Sequence, residues 1–208
     1  MSPLAQRLKD LDACAEGVAW ARRLPEGTTP QQAWELCPKS PWLVWVAVVV
    51  GVDPKVVTLA VCEVVRVIVS VWEKHHPEET LPREALESVE AWARGTKGAE
   101  DVFPFRERLN TLLTTLQTDA QALFLHSEHE DEARGLLRGV SVGAAVEHLV
   151  TAVGEESPNS MAAELHDAVL ASLWAGGAAE APVVSEAVFA IVRKHLPREL
   201  VARARGLG

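Results

Sequence analysis

The stretch from Val56 to Trp72 reads VVTLAVCEVVRVIVSVW, and only Thr58, Glu63, Arg66 and Ser70 in it are polar. A chain that carries it has to cover it on nearly every side. Asp53-Pro54 stands immediately ahead. That pair is a helix-start signal, with an acceptor side chain at the N-cap and a proline whose missing N–H costs nothing in the first turn. The rival reading is a buried strand, since Val and Ile are abundant. A run of about 17 residues is too long for an ordinary strand of about 4–8. A buried central helix over about 54–73 is therefore expected, apolar around most of its circumference. Glu63 and Arg66 are three apart, so they share a face and are expected to form a buried structural pair. Loss of one partner of such a pair costs about 3–5 kcal/mol.

The same punctuation recurs along the chain. Leu4 to Leu24 is helical in pattern, with Asp12 able to cap a second short helix. Thr29-Pro30 opens a helix that ends near Cys37-Pro38, and Ser40-Pro41 opens another that ends at Gly51. Pro82 starts an amphipathic helix carrying Ala85, Leu86, Val89 and Trp92, stopped at Gly95. Apolar spacing predicts a helix from about Phe105 to Leu125. Ala133 to Val153 continues helical, although Gly135, Gly139 and Gly143 recur every four residues. Each glycine costs about 1 kcal/mol against alanine, so the stripe marks either close packing or a broken, mobile helix. Further helices run from Ser160 to Trp174 and from Pro182 to about Pro197. Helix alternates with turn throughout, and no hairpin signal appears. The expected fold is all-α, an irregular multi-helix bundle or short α-solenoid, as one domain over residues 1–208.

Composition narrows the function classes. With 208 residues and 48% hydrophobic content, the chain can fill a sizeable core. The net charge of −9 argues against nucleic acid as the main ligand and favours a basic protein partner. Trp42 to Val52 is too short to span a membrane, and Val56 to Trp72 falls short of about 20 residues and contains two charges. No membrane span is expected. The polar N-terminus, with Arg7, Lys9, Asp10 and Asp12, has no apolar signal region, so a cytoplasmic location is expected.

Candidate chemistry is sparse. His75-His76 with Glu73, and His126 with His129, match no established zinc spacing and read as solvated loop histidines. His166-Asp167 and Glu147-His148 are sequence neighbours, expected to point apart on a helix. Cys14, Cys37 and Cys62 read as buried structural thiols. There is no P-loop, dinucleotide fingerprint or nucleophile elbow, so no enzyme activity, metal or cofactor is expected. The acidic residues Glu128, Glu130, Asp131 and Glu132, with Glu155 and Glu156, either favour a helix N-terminus or meet a basic partner. Most of the seven tryptophans fall on apolar stripes and read as core, and an exposed one would be a hot-spot candidate.

An ordered set of residues carries a resemblance. It runs Ala13-Cys14, Trp20, Gln32-Ala33-Trp34, Cys37, Trp42-Leu43-Val44-Trp45, Leu59-Ala60, Cys62-Glu63, Arg66, Arg83 and Glu90-Ala91-Trp92-Ala93, with Ile191 to Pro197 at the tail. This pattern resembles a family of small all-helical bacterial immunity proteins that neutralise polymorphic toxins. It covers roughly residues 12–95 and 189–202, and the middle, about 99–180, departs from it. The resemblance implies a toxin-neutralising immunity protein that binds a cognate toxin domain acting in the cytoplasm. A basic nuclease would suit the acidic charge. The alternative is a helical adaptor that binds another cytoplasmic protein.

Overall fold

The computed structural model describes residues 2–125, 129–175 and 177–197, without the side chains of residues 71, 74, 75 and 177–183. Among these residues every regular element is helical. In order the α-helices are α1 (Pro3–Asp10), α2 (Ala15–Arg22), α3 (Pro30–Leu36), α4 (Ser40–Val49), α5 (Pro54–His75), α6 (Leu81–Ala93), α7 (Pro104–Phe124), α8 (Glu130–Val153), α9 (Pro158–Ala175) and α10 (Gly177–His195), with a short 3-10 helix, Ala99–Asp101, between α6 and α7. They pack against one another as a multi-helix bundle.

The expected central helix is α5, and its start follows the local signal. The Asp53 side chain accepts a hydrogen bond from Lys55 N at 2.9 Å, with Pro54 in the first turn. Helices α4, α6, α8, α9 and α10 all pack on it. Val57, Ala60, Val61, Cys62, Val64 and Val65 are fully buried. Each such valine contributes about 1.5–2 kcal/mol relative to an exposed one. The polar residues keep one narrow stripe, where Lys55, Arg66 and Ser70 are exposed and Glu63 is half-buried. The core built on α5 takes in residues from Trp34 to Leu196. A smaller cluster of Ala5, Leu8, Val18 and Ala21 joins α1 to α2.

Several helix starts differ from the sequence reading. Asp12 does not cap α2. The cap is Cys14, whose Sγ accepts from Gly17 N at 3.4 Å. Asp12 instead closes α1 in a left-handed conformation, φ 60°. Its N–H reaches Lys9 O and the N–H of Ala13 reaches Leu8 O, the paired bonds of a Schellman ending. Glycine is the relaxed residue there. Ser40 is the first residue of α4 rather than its cap, and its hydroxyl is buried. By contrast, Thr29 and Gln32 form the reciprocal capping box that opens α3. Helix α10 begins at Gly177, ahead of Pro182.

The glycine stripe belongs to one continuous helix. Helices α7 and α8 run antiparallel, since Phe103 lies at Gly154, Arg106 at Glu147 and Leu113 at Gly143. A Cβ on Gly139 would sit 2.3 Å from the Trp72 ring, and one on Gly143 would sit 2.8 Å from a Leu113 methyl. Those two glycines let α5 and α7 approach α8 closely. Gly135 faces open space. Helix α8 is also long and apolar enough to cross a membrane. In this fold α7 and α9 lie along it, and α5 and α6 also pack on it.

The expected Glu63–Arg66 pair is not formed, because each charge reaches a different helix. Glu63 Oε2 lies 2.7 Å from His195 Nε2 and 3.9 Å from Lys194 Nζ, on α10. Arg66 donates to Glu90 on α6, and Arg94 donates to the other oxygen of Glu90 at 3.0 Å. Glu63 and Arg66 side chains are each nearly half exposed, whereas Glu90 is 9% exposed. The buried charge of this region is therefore Glu90.

Two stability comparisons follow from these contacts. Glu63→Ala should cost no more than about 1 kcal/mol, because Glu63 is itself nearly half exposed and Lys194 stays in water. Arg66→Met with Arg94→Met should cost about 3 kcal/mol, because both counterions of a buried carboxylate are lost. Urea unfolding of the two variants checks this. Gly135→Ala should stabilise by about 0.5–1 kcal/mol, while Gly139→Ala should destabilise by about 1–3 kcal/mol through overpacking on Trp72, both read from thermal melts.

Candidate functional site

The predicted acidic residues do not form one surface. Glu128 lies outside the described residues. Glu130, Asp131 and Glu132 are exposed in the first turn of α8. Glu130 accepts from Arg134 at 2.6 Å, and Glu132 lies 3.4 Å from the His129 ring. Glu155 and Glu156 follow the opposite end of the same helix. A 24-residue helix is about 36 Å long, so the two groups cannot meet one small epitope together.

What lies beside the first group was not read from the sequence. The antiparallel packing of α7 on α8 brings Phe124 and Leu125 to the start of α8. Their exposures are 45% and 83%, and Leu137 is 41% exposed. The turn between α8 and α9 is short, and His148 Nδ1 lies 2.8 Å from Glu164 Oε2. The same antiparallel register carries Trp174, in the last turn of α9, level with Arg138. Trp174 is 68% exposed. Phe124, Leu125, Leu137 and Trp174 are thus exposed in the half of the α7–α8–α9 layer that holds the start of α8 and its three carboxylates. Single exposed hydrophobics are ordinary, but several together with a polar rim mark an interaction surface.

A second feature lies elsewhere. A cavity of about 280 Å³ opens between the N-terminal helices and α9. Trp20 of α2, Trp34 of α3, and Trp42 and Trp45 of α4 form much of its wall. The rings of Trp20 and Trp42 are 6.1 Å apart, tilted by 52°. Trp34 is buried, whereas Trp20, Trp42 and Trp45 are only half-buried. The reading of most tryptophans as plain core is thus corrected for these three. The ionisable residues on the wall are Asp12, His166 and Asp167, with the thiols of Cys14 and Cys37. His166 Nδ1 and Asp167 Oδ1 are 2.8 Å apart, so these neighbours meet rather than diverge. The sequence signal for the cavity was the clustering of Trp and Cys in the first quarter of the chain. Their convergence depends on how α2, α3 and α4 turn back on one another.

The histidines and thiols sort by environment. His76 stacks on Trp72 with ring centroids 3.6 Å apart, so it is not a free loop residue. His126 lies outside the described residues, and among those described no group of three His, Cys, Asp or Glu is placed to hold a metal ion. Cys37 and Cys62 are buried, but Cys14 is exposed, against expectation. Burial pushes the Cys62 thiol far up, with the nearby Glu90 carboxylate adding to the shift, and burial likewise raises Cys37.

Comparison with protein-family models, with curated proteins and with solved structures finds no match to this chain.

A thiolate is the reactive form, and buried thiols with raised pKa values are inert. Titration of native protein with an aromatic disulfide reagent should therefore modify Cys14 quickly and leave Cys37 and Cys62 untouched until denaturant is added.

Proposed function

We propose that this chain is a toxin-neutralising immunity protein that acts in the cytoplasm and holds a basic toxin domain against the end of its α7–α8–α9 layer. The observation that carries the reading is the exposure of Trp174 and Leu125 in the half of the layer that holds the acidic first turn of α8. A large aromatic anchor with an apolar surround supplies binding energy once water is excluded. The carboxylates of Glu130, Asp131 and Glu132 add a field that steers a basic surface into place. A nuclease domain suits that field, because its cleft must attract phosphates. The ordered Trp and Cys resemblance supports the same assignment. Such a protein inhibits by covering a cleft, and it needs stable helices more than a reaction centre. The alternative, a helical adaptor for another cytoplasmic protein, would use the same end of the layer and differs in the partner captured.

The test is capture of the partner from the native host with tagged protein, followed by affinity measurement on the purified pair. Wild type should retain one toxin domain in stoichiometric amount and protect cells that express it. Trp174→Ala should weaken that complex by about 2 kcal/mol, roughly thirty-fold in Kd, without changing the melting temperature. Reversing Glu130, Asp131 and Glu132 to lysine should slow association and reverse the sign of its salt dependence. Binding unchanged by both variants would show that the interface lies elsewhere. Capture of a different cytoplasmic protein at this end would favour the adaptor.

A further inference from the structure

The tryptophan-lined cavity is separate from the acidic end of the molecule. It uses Ala163, His166 and Asp167 of α9, whereas the end uses Trp174 in that helix's last turn. We infer that the cavity is a binding site for a small organic cation, with a quaternary-ammonium-type head and a short apolar body.

Three observations point the same way. The first is the wall itself. Four indoles from three helices surround a space at the small end of the usual ligand-pocket range of about 300–1,000 Å³. Indole faces are electron-rich and attract cations within about 6 Å of the ring centroid. One of these rings already takes an ammonium, since Lys39 Nζ lies 4.9 Å from the centroid of Trp42.

The second is the sign of the charge. The carboxylates on the wall are those of Asp12 and Asp167. Two cations near the site are held by other partners, only the first of them by a carboxylate. Lys39 is held by both oxygens of Glu16 at 2.7 Å, and Arg193 donates to the carbonyls of Glu35 and Cys37. The wall itself therefore carries two carboxylates and no lysine or arginine, which favours a cation over an anion. His166 bonds Asp167 and leaves Asp12 as the carboxylate without an imidazole beside it.

The third is the backbone at Asp12. The Schellman ending of α1 needs a left-handed residue, and glycine fills that position without strain. Aspartate occupies it here, at φ 60°, on the wall of the cavity. A residue that carries a carboxylate thus stands where the backbone alone would favour a side-chain-free one.

The probes are hexyltrimethylammonium, hexanoate and hexanol, which share an apolar chain and differ in head charge. Tryptophan fluorescence and calorimetry follow the binding. Hexyltrimethylammonium should saturate at one per chain and bind at least ten-fold more tightly than hexanol, with hexanoate weaker than both. The variant Asp12→Gly with Asp167→Asn should reduce the cation to the affinity of hexanol and leave hexanol unchanged. Glycine suits the left-handed turn, so this variant should melt no lower than wild type. A control with Glu130→Gln and Glu132→Gln changes the net charge equally and should leave cation binding intact. Equal affinity for all three probes, no saturation by the cation, or equal loss in the control would overturn the assignment.

Discussion

The packing of α5 sets the terms for the rest of the structure. Its buried face is made mostly of valine, with Thr58, Ala60, Cys62 and Ile68 and with Trp72 near its end, and five helices lie on it. Small and β-branched side chains keep neighbouring helix axes close, and close axes need matching small residues on the opposite side. Gly139 supplies one, directly over the Trp72 ring near the end of α5. Cores at crystal-like density tolerate little change in volume. The penalty of glycine inside α8 is thus offset by the burial of an indole. Gly135 makes no such contact and is a residue of the same stripe without the same reason.

Charges follow the same geometry. A helix covered on most sides has one open stripe, and every polar residue on it must find a partner across a neighbouring helix or stay in water. Glu63 reaches α10, Arg66 reaches α6, and Thr58, which is fully buried, donates to the Pro54 carbonyl in its own helix. Glu90 then becomes the buried member of the network, held by two guanidiniums that remain half in water. That arrangement lowers the desolvation penalty of the ion pairs, because only one partner loses its hydration.

The two surface features differ in kind. In the α7–α8–α9 layer, large exposed apolar side chains share the half that holds the acidic start of α8, which suits the broad face of a protein. In the N-terminal region, indoles enclose a small volume with two aspartates on its wall, which suits a small molecule. Loops and short helices build the second, with α1 to α3 each only 7 or 8 residues long. Such short helices are marginal by themselves and hold their place through packing.

Helix identity was legible in the sequence wherever the cause was local. Asp53-Pro54 starts α5, Thr29 and Gln32 close a capping box, and Gly51 and Gly95 adopt positive φ just after helix ends. Each involves residues within a few positions, so spacing alone reveals it. What sequence spacing could not reveal was every feature that joins distant segments. Glu63 meets His195 and Arg66 meets Glu90 because α10 and α6 flank α5, and nothing in a three-residue spacing competes with those partners. Cys14 displaced Asp12 as a cap because the ending of α1 had already drawn Asp12 into a left-handed turn. The acids at the start and end of α8 looked alike in the sequence but are separated by the length of a helix, and the tryptophans looked like core until three helices turned them around one cavity. Periodicity and caps act through the backbone and its nearest side chains, and therefore determined the helices. Partners, cavities and surfaces depend on which faces pack together, and only the tertiary structure decided them.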